Sequence, residues 1–173
     1  ILLGLVGSEM CIRDSLESAI ISGITCTSDD SKIILRDVPD TPGIAAKILS
    51  PISEAGIEID VIVQNVGSDR LTDFTFTVKR DQSQMAVDIL KTLVESLGGG
   101  EIELVREISK VSVVGVGMKS HAGVAARMFK ALADKKINID MISTSEIKIS
   151  VVVSKEKAEE AVIALHDEFE LEK

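Results

Sequence analysis

Apolar and polar positions along the chain change period in a regular order. Residues 19–27 (AIISGITCT) read as a strand, closed by the turn run Ser28-Asp29-Asp30-Ser31. A second strand covers 32–38, with Ile33 and Leu35 on one face. Then Ile44, Ile48 and Ile52 recur every four residues, the stripe of an amphipathic helix. Thr41 is placed to cap that helix and Pro42 to open it. Pro51 interrupts it by removing a donor, and Gly56 ends it. Residues 57–65 alternate Ile57, Ile59, Val61 and Val63 against Glu58, Asp60, Ile62 and Gln64, which predicts a strand with one buried face. TDFTFTV at 72–78 runs back with Phe74, Phe76 and Val78 on one side, a helix follows over 82–97, and a strand over 101–108.

The order strand–helix–strand–strand–helix–strand then begins again. Strands at 111–116, 137–145 and 147–153 enclose a helix at 122–134, and a last helix covers 155–168. Sliding the chain by 80 residues aligns 40–66 with 120–146 without a gap, and seven of those 27 positions are identical. They are Gly43/Gly123, Ala45/Ala125, Ala46/Ala126, Ile57/Ile137, Ile59/Ile139, Asp60/Asp140 and Ile62/Ile142. A shared loop glycine, helix stripe and strand pattern mark an internal repeat. The predicted class is α+β: two ferredoxin-like βαββαβ units, each an antiparallel sheet with its helices on one face. The second unit lacks a sixth element and the strand at 19–27 is surplus to the first. Because sheet edges seek partners, that strand is expected to complete the second sheet. The first unit (31–108) is then inserted into the second (19–28 plus 110–173).

Composition sharpens this picture. Apolar residues make up 45% of the 173, but aromatics only 2%, so Leu, Ile, Val and Ala must fill both cores. A net charge of −9 opposes nucleic acid and anionic membrane as partners, and no apolar run reaches the ~18 residues of a membrane span. A cytoplasmic protein is expected. Two cysteines, Cys11 and Cys26, form neither a disulfide framework nor a metal set. Residues 1–15 (ILLGLVGSEMCIRDS) match nothing else in the pattern, resemble translated adaptor sequence, and are set aside as a non-native or disordered leader. Native sequence is expected to extend further upstream.

Candidate chemistry sits where helices begin. Gly115-Val116-Gly117 imitates a dinucleotide fingerprint, but Ser120 replaces its third glycine and the next strand returns as a hairpin rather than through a crossover helix. Phe74 and Phe76 lack the basic neighbours of an RNA-stacking sheet and suit core packing. Asp40-Thr41-Pro42-Gly43 and Ser120-His121-Ala122-Gly123 each lead into an apolar helix, whose free N–H groups attract a carboxylate. A glycine kept there in both copies, despite a cost of roughly 1 kcal/mol inside a helix, admits a ligand backbone; glycine forced by helix–sheet packing is the competing explanation. Gln64-Asn65 and Ser145-Glu146 would offer acceptors for an ammonium group. Donors for a carboxylate opposite acceptors for an amine describe a free amino-acid site.

VPDTPG (38–43), IVQNV (62–66), TDFTFTV (72–78), KVSVVGVGMKSHAGVAARMF (110–129) and INIDMISTSEIKISVVV (137–153) together resemble the C-terminal regulatory region of the aspartate kinases, a pair of ACT domains. The resemblance covers about 19–171 and extends to the short regulatory (β) subunit of that family. It implies feedback inhibition, by threonine and/or lysine, of the ATP-dependent phosphorylation of aspartate that opens lysine, threonine and methionine biosynthesis. ATP and Mg would belong to a catalytic domain whose motifs are absent here, so the chain has no cofactor and no catalytic residue of its own. Implied partners are the effector, a second copy through the ACT domains, and a catalytic kinase subunit. Implied effector contacts are Asp40, Gly43, Ile44, Ala45 and Gln64 in the first copy, faced by Asn138 and Ile139 of a partner chain's second copy. A lysine-type site maps to Met118, Ser120, His121, Asp140, Ser145 and Glu146. A free-standing ACT sensor that never meets a kinase is the alternative; a kinase–dehydrogenase fragment and an acylphosphatase-like enzyme fit less well.

Overall fold

A computed structural model describes residues 20–66, 70–97, 100–116 and 122–171. Twelve main elements follow one another: β1 (Ile20–Thr27), β2 (Asp30–Pro39), α1 (Ile44–Glu54), β3 (Ile59–Val66), β4 (Leu71–Lys79), α2 (Ser83–Ser96), β5 (Glu101–Val105), β6 (Ile108–Val116), α3 (Ala122–Asp134), β7 (Met141–Thr144), β8 (Lys148–Ser154) and α4 (Ala158–Glu168). They build two four-stranded sheets, ordered β3-β4-β2-β5 and β1-β6-β8-β7. β1 pairs antiparallel with β6, from Ile20 opposite Val116 to Thr27 opposite Lys110. The surplus strand therefore closes the second sheet, and the first unit is inserted into the second. The predicted strand over 101–108 is in fact two strands: β5 stops at Val105, and Ile108 opens β6.

Each unit has its own core between sheet and helices. In the first, Ile44, Ile48 and Ile52 of α1 meet Ala86, Leu90 and Val94 of α2 over Ile33, Leu35, Phe74, Phe76 and Val78. Phe74 and Phe76 are almost fully buried there, tilted at 60° with centroids 6.2 Å apart, which accords with core packing. In the second, Val124, Met128 and Leu132 of α3 and Ala161 and Leu165 of α4 cover Val111, Val113, Val151 and Val153. Arg127 lies 4.8 Å above the Phe169 ring and pairs with Glu168 at 2.7 Å, tying α3 to the end of α4.

Pro51 sits inside α1 without stopping it, because the chain bonds on past it, with Ala55 N–H on Pro51 O. Gly56, at φ 73°, ends the helix: its N–H reaches Ser53 O, and that of Ile57 reaches Ile52 O. α3 closes identically, with Lys136 N–H on Ala133 O and Ile137 N–H on Leu132 O, but here a lysine takes the left-handed conformation at φ 56°. α1 begins differently from expectation. Its N-cap is Gly43, not Thr41, and Pro42 lies outside the helix. Thr41 contributes its backbone carbonyl to the Ile44 N–H rather than a side-chain cap.

The strict alternation expected through 57–65 also fails. Ile59 lies opposite Val78, yet Ile62 lies opposite Phe76, so Asp60 and Val61 together face Thr77. This bulge switches the faces of β3. Ile57 and Ile59 point toward the helices, but beyond the bulge Ile62 and Gln64 do so, while Val61 and Val63 turn to the opposite side. The Val61 amide, thrown out of the ladder, donates to the buried Thr77 Oγ1 at 3.1 Å. β7 repeats the switch: Ile137 and Ile139 join the helix-side core, Met141 faces away, and Ile142 lies opposite Val151. The residues turned away by both switches make a third core. Val61, Val63 and Val105 of the first unit meet Ile108, Met141 and Val152 of the second, packing sheet against sheet.

Candidate functional site

α1 starts immediately after β2, so its N-terminus lies at the end of the first sheet where Val38 pairs with Thr72. Thr72 also pairs with Val66, and Gln64 pairs with Phe74, which brings the last residues of β3 to that same end. The Thr72 hydroxyl donates to Asn65 O at 2.6 Å, and Asp40 N–H donates to Arg70 O at 2.8 Å, pinning strands and loop together. Gly43 holds φ 90°, a conformation that glycine adopts without strain. No side chain caps α1, so its first-turn amides at Ala45 and Ala46 are available to an anion. Asp40, Gly43, Ile44, Ala45 and Gln64 thus share one sheet end, with Ile44 buried in the core and Gln64 exposed on the edge strand.

A Cβ added at Gly43 or at Gly123 would meet nothing within 4 Å. Helix–sheet packing therefore does not require either glycine. Gly43 has a conformational reason in its positive φ. Gly123, inside α3 and without a positive φ, has none, and it faces open space.

Gln64 and Asn65 do not form one wall. Gln64 is on the helix side, whereas Asn65 lies on the opposite face and lines a cleft of about 300 Å³ with Lys32, Val63, Ile139, Asp140 and Met141. In the second unit the counterpart of Gln64 is Thr144, opposite Ile149. Ser145 is taken up by the β7–β8 turn, its N–H on Lys148 O at 2.8 Å and its hydroxyl receiving Lys148 N–H at 3.1 Å. Glu146 is exposed beside it. Met118, Ser120 and His121 lie outside the described residues.

Asp140 stands at the start of β7, about 16 Å along the strand from Ser145 at ~3.3 Å per residue. Its Oδ2 accepts from Lys32 Nζ at 2.7 Å, and its Oδ1 is 3.4 Å from the Asn138 amide. Within one chain, then, Asp140 faces the sheet side of the first unit that carries Asn65, and Ile139, packed on the helix-side core of its own unit, also lines that cleft rather than the end that carries Gly43 and Gln64. Lys32 is a partner that the sequence reading missed. Its repeat counterpart is Lys110, displaced by 78 rather than 80 residues, so an ungapped alignment hides the pair.

Known proteins place this architecture. Residues 33–95 and 111–169 each match the ACT domain family. An aspartate kinase of Pseudomonas fluorescens is 57% identical over 160 residues, 92% of this chain and 39% of that kinase. The crystal structure of aspartokinase α and β subunits superposes with a TM-score of 0.82 at 43% identity, covering 88% of this chain and 100% of the matched one. The chain belongs to the ACT-domain regulatory region of the aspartate kinases. The regulatory subunit of aspartate kinase from Thermus thermophilus, in its ligand-free form, gives the same TM-score at 42% identity, over 86% of this chain and 98% of that subunit. Both ACT domains of the region are present here, and the chain spans 39% of the length of the Pseudomonas kinase. No helix among the described residues is long and apolar enough to cross a membrane.

Proposed function

We propose that this regulatory region senses threonine and/or lysine and transmits feedback inhibition to a catalytic domain that phosphorylates aspartate from ATP. The observation that carries the reading is the uncapped start of α1 beside Gly43, with Gln64 on the adjoining edge strand. The free amides suit an amino-acid carboxylate, and the Gln64 amide oxygen suits its ammonium. Within one chain Asn138 is bonded beside Asp140 and Ile139 lines the cleft of Asn65, not the Gly43 end. Their role as the second half of the site calls for another copy, so effector binding and dimerisation are one event. The exposed Ile62 and Ile142, on the free edges of the two sheets, favour the same arrangement. An effector held between two chains favours one dimer geometry, and ~1–3 kcal/mol of coupling changes activity about 5–150-fold. The likeness to a β subunit solved beside its α subunit supports a catalytic kinase subunit as the partner that receives the signal.

Thermal unfolding with threonine, lysine and both, at millimolar concentration, tests this. A ligand at ~100 times its Kd stabilises by about 2.7 kcal/mol. Gln64→Ala or Asn138→Ala should abolish a threonine shift. No shift with any amino acid of the aspartate family would sink the reading.

A further inference from the structure

Where two copies of one unit differ, the simpler copy shows what the fold needs. The pairings of β2 with β4 and of β6 with β8 match at one rung: Leu35 lies opposite Phe74 as Val113 lies opposite Ile149, all four in a helix-side core. Beyond that rung they part. In the second domain the ladder runs on without a break, with Val114 opposite Lys148 and the Gly115 N–H on Ile147 O at 2.8 Å. In the first domain Val38 is the next to pair, with Thr72, so Arg36 and Asp37 together face Asp73 in a bulge. Asp37 takes the left-handed conformation there, at φ 55°, which strains a residue that has a Cβ. The edge strands differ as well. β3 runs on to pair Asn65 with Asp73 and Val66 with Thr72, whereas β7 stops at Thr144, the counterpart of Gln64. The fold thus closes this end of a sheet without either the bulge or the extension.

Two neighbouring side chains of β4 hold these departures in place. Asp73 Oδ1 accepts from the Asp37 N–H at 3.2 Å, which gives the bulged amide a partner. Its Oδ2 is 4.0 Å from Arg36 Nη1, and Arg36 is tied in turn to Glu103 of β5 at 2.7 Å. Thr72, 1% exposed, donates its hydroxyl to Asn65 O at 2.6 Å and so fastens the added length of β3. With Ile149 the counterpart of Phe74, the counterparts of Thr72 and Asp73 are Ile147 and Lys148. An isoleucine has no donor for a carbonyl, and a lysine ammonium has no acceptor for an amide. Of the two domains, the first alone has this brace.

We propose that Thr72 and Asp73 are positioning residues of the effector site in the first domain. The inference rests on the reading of that site at Gly43 and Gln64. β4 lies between β3 and β2, so adjacent residues of one strand reach both walls of the site. Asp73 fixes the bulge through which β2 is delivered to Asp40, Gly43 and the free amides of α1. Thr72 fixes the end of β3 that carries Gln64. Neither side chain is a ligand contact. Together they hold the α1 amides and the Gln64 amide at a set separation, so that an amino acid finds its carboxylate donors and its ammonium acceptor already in place. Binding then carries a smaller ordering cost. The same comparison makes the first domain the better preorganised of the two.

Isothermal titration calorimetry of threonine and of lysine into the full chain tests the proposal, alongside urea unfolding of the same variants without ligand. Thr72→Val should weaken binding about fivefold to tenfold, the scale of one lost hydrogen bond, and Thr72→Ser should restore it to within about twofold. Asp73→Ala should weaken binding by a similar factor, whereas Asp73→Asn keeps an acceptor oxygen and should stay near the native value. The Asp73 side chain is 47% exposed, so its variants decide the matter even if Thr72→Val fails to fold. Thr77→Val is the control. It removes a comparable buried bond, from the Val61 N–H, at the bulge of β3, and should lower the urea midpoint with Kd unchanged. The fitted stoichiometry counts folded chains, which separates lost affinity from partial unfolding. A Kd that either Thr72→Val or Asp73→Ala leaves unchanged, in a chain whose binding Gln64→Ala abolishes, overturns the proposal and leaves the effector reading intact. Equal weakening by Thr77→Val does the same, because any loosening of β4 would then suffice. No binding of either amino acid by the native chain, or binding that Gln64→Ala leaves unchanged, overturns the effector reading and this proposal with it.

Discussion

Lys32 in β2 of the first ACT domain donates from Nζ to Asp140 Oδ2 of the second at 2.7 Å. The repeat reverses the arrangement, with Lys110 of the second domain holding Asp60 of the first. Each aspartate stands at the strand switch of its own domain, and each lysine projects from the first strand of the other. The two bridges accompany the core made by Val61, Met141, Ile108 and Val152, so ion pairs and apolar packing together join the domains.

The two bridges are unequal, and this predicts unequal costs. Lys32 is 10% exposed and among the described residues pairs only with Asp140, whereas Lys110 keeps Asp30 at 3.5 Å when Asp60 is removed. Breaking a fully buried pair costs ~3–5 kcal/mol. Asp140 is a third exposed, so Asp140→Asn should cost about 1–3 kcal/mol. Asp60→Asn should cost about 1 kcal/mol or less, since Asp60 is more exposed still. Urea unfolding of the two variants checks the order; equal losses would mean that Asp30 gives Lys110 no support.

Stability and ligand response should separate at the two glycines. Gly123→Ala replaces a helical glycine facing open space, so it should stabilise the fold by up to about 1 kcal/mol while blunting an effector-induced thermal shift in the second domain. Gly43→Ala should instead destabilise by about 1 kcal/mol, because alanine is strained at φ 90°. Melting curves with and without threonine and lysine read both effects.

Lys136 occupies the left-handed position that Gly56 fills in the other copy. Lys136→Gly should relieve ~1–2 kcal/mol of strain, offset by ~0.4–1 kcal/mol of added freedom in the unfolded chain. A net gain of a few tenths to about 1 kcal/mol in urea unfolding is expected. The reciprocal Gly56→Lys should lose a similar amount.

The Lys79 ammonium is held above its ordinary value of 10.5, chiefly by its hydrogen bond to Asp30 and then by the charge of that carboxylate. A folded value above the unfolded one gives stability that is fully present below the unfolded value and is lost as pH rises through the folded one. The stability difference between the native chain and Lys79→Met should therefore stay constant from about pH 6 to about pH 9, then shrink above ~10.5. A difference that stayed unchanged above ~10.5 would show that the bond to Asp30 does not hold the ammonium up.

Much of the fold was legible in the order of residues because it rests on local periodicity. The Ile44-Ile48-Ile52 stripe, the Phe74-Phe76-Val78 face and the 80-residue repeat each express a helix or strand burying one side. Even the closure of the second sheet by 19–27 followed from counting unpaired edges. The candidate site was legible only in part. Asp40, Gly43 and Gln64 come to one sheet end because topology brings them there. Asn65 was set on the wrong face, because a bulge at Asp60 inverts a strand without altering its apolar count. Thr41 was read as a cap although Gly43, free to take a positive φ, lets the backbone close the turn.

By itself the sequence determined two copies of a βαββαβ unit, their helix stripes, and a glycine at the start of each first helix, since these depend on neighbours three, four or two residues away. Only the tertiary structure decided that Lys32 answers Asp140 and Lys110 answers Asp60, that Val61 and Met141 leave their own cores to join a shared one, and that Thr72 and Asp73 brace one end of the first sheet. Those facts depend on how one sheet lies upon another. Charges 50 to 108 residues apart find each other only when the two sheets pack face to face.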